Sequence, residues 1–80
     1  MKALSYTKAA IKALRHMPRK DSEAIRAKLE NYAAGGVEDV KRLQGSDMFR
    51  LRHGIWRAIF DEDGKVIIVL KVAKRGEAYR

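Results

Sequence analysis

Residues 48–75 read MFRLRHGIWRAIFDEDGKVIIVLKVAKR, and their alternation decides the fold. Successive side chains on a strand point to opposite faces of a sheet, so a period of two sorts them. In 48–53, Phe49, Leu51 and His53 fall on one side, and Met48, Arg50 and Arg52 on the other. In 55–61, Trp56, Ala58 and Phe60 oppose Ile55, Arg57 and Ile59. In 65–75, Val66, Ile68, Leu70 and Val72 oppose Ile67, Val69, Lys71, Ala73 and Arg75. His53 with Gly54, and the acidic run 61–64, supply turn chemistry between these segments. The acidic run is read as a turn and not a calcium loop, because no helix or bidentate Glu follows it. The stretch therefore predicts a meander of three antiparallel strands.

Upstream the period changes. Residues 2–6 read as a short strand. From Thr7, a residue suited to cap a helix, apolar side chains fall at Ala10, Ile11, Leu14 and Met17, which is helical spacing. Pro18 ends that helix and can open the next. Ile25, Leu29, Tyr32 and Ala33 share one face of a second helix, which Gly35 and Gly36 close. The short link at Pro18 predicts an antiparallel helix pair. The expected architecture is α+β: an N-terminal strand, a helix hairpin, then the meander, in a single domain spanning 1–80. The helices are expected to cover the sheet face that carries Phe49, Leu51, Trp56, Ala58, Phe60, Ile68 and Leu70.

Eighty residues suffice for one domain. Lys and Arg number 18 against 10 Asp and Glu, a net charge of +8 that attracts polyanions at long range. The chain has no cysteine, which excludes disulfides, thiolate metal sites and a cysteine nucleophile. Lys2, Lys8 and Lys12 interrupt the N-terminal stretch, and the longest apolar run, 66–70, is too short to span a bilayer. The expectation is a cytoplasmic protein with no membrane partner.

The charge concentrates on the sheet face that the helices leave uncovered. Arg50, Arg52, Arg57, Lys71 and Arg75 fall there, together with Ile59, Ile67 and Val69. Like charges side by side on a sheet repel one another, which is unfavourable unless something anionic sits among them. A basic face with an apolar floor reads as a binding surface. The planar fork of arginine matches phosphate oxygens, and several forks around one phosphate would stabilise a pentacovalent transition state. Arg50, Arg52, Arg57, Lys74 and Arg75 are the candidate constellation, with Tyr79 able to stack on a base. A solvated basic face with an ordinary C-terminal tyrosine is the alternative. Trp56 reads as a core anchor, His53 as a structural histidine beside a turn, and His16 as favouring the C-terminal end of the first helix.

The strings RLRHGIWRAIF (50–60) and VLKVAKRGEAY (69–79) closely resemble the RelE/ParE toxins of bacterial toxin–antitoxin pairs. Lys41, Arg42 and Leu43 upstream, and a helix pair joined at 17–19, extend the resemblance over nearly the whole chain. It implies a RelE-like microbial RNase fold. In the RNA-cleaving branch it implies a ribosome-dependent endonuclease that cuts messenger RNA in the ribosomal A site and uses no metal or other cofactor. The ribose 2′-hydroxyl attacks the adjacent phosphate, leaving a cyclic phosphate and a 5′-hydroxyl. By the resemblance, Arg57 contacts the scissile phosphate, Arg75 assists the leaving group and Tyr79 orients the nucleotide. Arg50 occupies a position where some members carry a catalytic lysine. An arginine cannot lose its proton to serve as general base, so Arg50 neutralises charge, and Tyr79, His53, Lys74 or a ribosomal group remains for the base.

Further RNA contacts are expected from Arg52, Lys71, Lys74, Lys41 and Arg42. The expected protein partner is a cognate antitoxin, a segment of which would cover Ile59, Ile67 and Val69 and neutralise the arginines. Promoter DNA would be bound only through that complex. Two alternatives stay open. One is the ParE-like branch, a non-catalytic inhibitor of DNA gyrase, whose members usually lack the arginine–tyrosine pattern and have a longer hairpin. The other is a degenerate toxin that binds only its antitoxin.

Overall fold

Helix α1, Lys8–His16, starts at Thr7 as that side chain predicts. Thr7 Oγ1 accepts from the Ala10 N–H at 3.2 Å and donates to the Leu70 carbonyl at 2.8 Å, which ties the cap to the sheet. Pro18 stands at the N-cap of α2, Arg19–Ala33, where its carbonyl accepts the N–H groups of Asp21 and Ser22. A proline lacks a donor, and at this position none is needed. The computed structural model describes residues 1–77.

The strands are β1 (Ala3–Tyr6), β2 (Val40–Arg42), β3 (Phe49–His53), β4 (Trp56–Glu62) and β5 (Val66–Lys74). They form one sheet in the order β1-β5-β4-β3-β2. The predicted meander is β3, β4 and β5, paired antiparallel, and β1 lies parallel to β5. The sequence reading missed β2, an edge strand of three residues, too short for alternation to register. The acidic run ends as a turn in which Asp63 accepts from the Lys65 and Val66 N–H groups at 2.7 and 2.8 Å.

Both helices cover one face of the sheet. Phe49 pairs with Phe60, Leu51 with Ala58 and His53 with Trp56, as the alternation predicts. Ala10, Leu14, Ile25 and Leu29 from the helices enclose Leu51 and Phe60 completely or nearly so. The Phe60 ring stacks on Phe49 at 5.7 Å and tilts against Tyr32 of α2 at 5.6 Å. Tyr32 donates its hydroxyl hydrogen to Glu62, which also takes Lys2. Burial and this bond push the Tyr32 phenol up to about 12.

Strand β5 departs from strict alternation. Phe60 pairs with Val69 but Ile59 pairs with Lys71, so Leu70 is an extra residue in a β-bulge. Ile67 and Val69 therefore face the helices at 0% exposure, and past the bulge Val72 faces them too, also buried. Ile68, expected in the core, is instead 39% exposed. Among the described residues no helix is long and apolar enough to cross a membrane.

Candidate functional site

The open face of the sheet carries two cross-strand rows of side chains. One runs Lys41, Arg50, Ile59 and Lys71 across β2, β3, β4 and β5. The next runs Arg52, Arg57 and Ala73. The helices lie on the other side, so nothing from the helix layer competes for these guanidinium groups.

Arg57 is the centre of this face and its most enclosed cation, at 4% exposure. Its Nη1 donates to the carbonyls of Gly54 and Trp56 at 2.8 and 2.9 Å. A buried guanidinium that lost these acceptors would be costly, so the bonds fix where the fork lies. Arg50 is also enclosed: its side chain is 12% exposed, and Nη1 donates to both the carbonyl and the carboxylate of Asp39 at 3.2 and 3.1 Å. The Arg50 guanidinium holds the Asp39 carboxyl below its usual range, with Arg52 and Lys41 adding to the effect. Arg52 is exposed directly across from Arg57. Arg75 follows β5, exposed, and its backbone N–H donates to the Ile55 carbonyl at 2.7 Å. Lys71 Nζ donates to the Glu77 carbonyl at 2.9 Å.

No family model and no curated protein sequence matches the chain. Solved structures do. The chain is similar to one in the archaeal RelE–RelB complex from Pyrococcus horikoshii OT3, with 30% identity and a TM-score of 0.72 over 96% of this chain and 98% of that one. The chain belongs to the RelE-like toxins. The intact Escherichia coli RelBE toxin–antitoxin complex aligns at 26% identity and TM-score 0.72, over 92% of this chain and 96% of that one. The RelB–RelE antitoxin–toxin complex from Methanococcus jannaschii shares the fold at TM-score 0.77 and 24% identity, over 94% of each chain.

In this RelE-like toxin the structure gathers Lys41, Arg50, Arg52, Arg57 and Lys71 on one face and sets other candidates apart. Lys74 pairs with Trp56, and its Nζ lies over that ring at 5.9 Å, on the side of the helices and not among the arginines. Arg42 pairs with Phe49 in the ladder and is held by Asp47 at 2.7 Å and by the Ser46 carbonyl at 3.1 Å. His53 also faces α2, with Nε2 3.2 Å from Asp21 Oδ1, so it lies across the sheet from Arg57. Tyr79 lies outside the described residues.

The surface expected to take an antitoxin needs correction. Ile67 and Val69 have 0% exposure because the bulge at Leu70 turns them into the core. Ile59 stands on the open face between Arg50 and Lys71, yet is only 7% exposed. None of the three offers apolar surface as the chain stands. Sequence reasoning also missed Asp39 and Asp21. Asp39 shares the parity of Lys41, a signal that recognition of β2 would have exposed. Asp21 has no such signal, since its partners lie more than thirty residues away.

Proposed function

We propose that this RelE-like toxin cleaves messenger RNA on the ribosome and is held inactive by a cognate antitoxin. The observation that carries the reading is the open face itself: Arg57 at its centre, Arg52 directly across, and Arg50 in the adjacent row, with both helices on the far side. Guanidinium forks fixed before the substrate arrives suit the charge that develops at phosphorus. The 2′-hydroxyl oxygen of the ribose attacks the neighbouring phosphorus, and the bond to the 5′-oxygen breaks. The products are a 2′,3′-cyclic phosphate and a 5′-hydroxyl.

In this scheme Arg57 neutralises the equatorial oxygens, Arg75 stabilises the leaving oxygen and Arg50, oriented by Asp39, adds positive potential. Arginine cannot take the proton from the attacking hydroxyl. His53 and Lys74 lie on the helix side, which leaves Tyr79 or a group of the ribosome as base. Arg52, Lys41 and Lys71 would follow the phosphate chain. Solved relatives are antitoxin–toxin complexes, and the net charge of +8 suits a partner rich in carboxylates.

The test is induction of this chain alone in bacteria, with 5′ ends mapped on messages and DNA supercoiling assayed in the same culture. The expected result is growth arrest with new 5′-hydroxyl ends inside translated regions and normal supercoiling. Relaxed plasmid with intact messages would overturn the proposal in favour of a gyrase inhibitor. No arrest at all would leave a chain that only binds its antitoxin.

A further inference from the structure

The turn between β3 and β4 holds both arginines on which the proposed chemistry leans most. Gly54 has φ of +56° while Ile55 does not enter positive φ, which is the pattern of a two-residue hairpin turn with glycine first. Three successive carbonyls at this turn are taken. Those of Gly54 and Trp56 accept from Arg57 Nη1 at 2.8 and 2.9 Å. The one between them, on Ile55, accepts the Arg75 N–H at 2.7 Å. One short turn therefore sets the fork of Arg57 and the point where the chain enters Arg75.

The same turn is gripped from the opposite face. Asp21, in the first turn of α2, accepts from Trp56 Nε1 through Oδ2 at 3.3 Å, and its Oδ1 lies 3.2 Å from His53 Nε2. His53 and Trp56 are the cross-strand pair that closes the turn, so one carboxylate spans both of its stems. Among the described residues His53 Nδ1 is buried without a partner, and the ring's hydrogen bond is the one to Asp21. Each of these bonds is longer than a strong charge-assisted one, so neither alone would hold the turn. Their joint effect is geometric: they stop the two stems from moving independently of the helix layer.

We infer that Asp21 is a positioning residue for Arg57 and Arg75, acting through His53 and Trp56 and touching no substrate. Its effect on cleavage rests on the proposed function; its effect on the turn does not. The experiment uses the full chain with Asp21→Ala, and Glu23→Gln as control, since Glu23 is an acid on the same helix in an exposed pair with Arg19. The first readout is solvent exchange of the Arg75 amide and the Arg57 side-chain Nε–H resonance by NMR. Asp21→Ala is expected to lower Arg75 amide protection about tenfold while Phe60 keeps its own, and to shift the Arg57 signal. The second is single-turnover cleavage on programmed ribosomes, expected to slow about tenfold at unchanged half-saturation. In an Arg57→Ala background the same change should cost less than in the native chain, because the part of its effect that acts through Arg57 is already gone.

A folded Asp21→Ala protein with unchanged Arg75 protection and an unchanged Arg57 signal overturns the inference. So do rate losses that multiply in the double variant. If Asp21→Ala does not fold, Trp56→Phe decides, since it removes the indole N–H together with the five-membered ring and keeps a six-membered ring beneath Lys74. It should give the same exchange effect at smaller size, and no effect overturns the inference. A wild-type chain inert on ribosomes removes the proposed function, and the exchange readout still decides the role of Asp21.

Discussion

On the helix-covered face, Leu51, Phe60, Ile67 and Val69 are completely enclosed; on the open face β3 and β4 carry Arg50, Arg52 and Arg57. Neighbouring residues on one strand thus serve different ends. The covered face supplies the burial that offsets chain entropy, and at about 25 cal/mol per Å² of apolar area it is the main source of stability. The open face collects like charges that would repel. It contains them by fastening the two enclosed ones, Arg57 to turn carbonyls and Arg50 to Asp39, so their orientation is set before any anion arrives. Substitutions on the two faces should therefore separate stability from activity.

The sharpest way to break that contrast starts in the core. Phe60→Ala empties the space between Phe49 and Tyr32 and should cost about 3–5 kcal/mol in urea unfolding, a large share of the stability of so small a domain. Gly54→Ala meets no atom within 4 Å, so its cost is conformational alone. At a positive φ that is about 1–2 kcal/mol by thermal unfolding. A pH titration examines the covered face from another side. Tyr32 ionises near 12 in the folded chain and near 10 when unfolded, so the native state holds the extra proton between those values. Stability should fall as pH rises from about 10 to 12, and Glu62→Gln should narrow that window, read by tyrosinate absorbance. The smallest effect belongs to Arg52→Ala. Unfolding should move by less than about 0.5 kcal/mol, while the salt dependence of single-stranded RNA binding loses about 0.7 of a unit in its log–log slope.

Strands β3 and β4 were legible because their apolar and charged residues alternate cleanly, and the arginine face followed from them. Strand β5 was not, because VIIVL is apolar at both parities and offers no charge to say which side faces water. The bulge at Leu70 then reverses the parity between Val69 and Lys71, so Ile67 and Val69 were assigned to the wrong face while Lys71 was assigned correctly. Lys74 has the parity of Val72, so alternation puts it on the helix side where it lies, and only its place beside Arg75 drew it into the arginine group. Alternation also placed Arg57 on the open face without revealing that its fork bends back onto Gly54 and Trp56. The clamp by Asp21 joins a helix to a hairpin far along the chain, and contacts of that kind leave no local pattern to read.

Single-turnover cleavage of a ribosome-bound message by Arg57→Ala, compared with the native chain at matched folded fraction, tests the role of the open face most directly. The expected rate is lower by about 100- to 1000-fold, with the methyl resonances of the enclosed Leu51, Ile67 and Val69 unmoved. Cleavage at the native rate by a folded Arg57→Ala protein would contradict it.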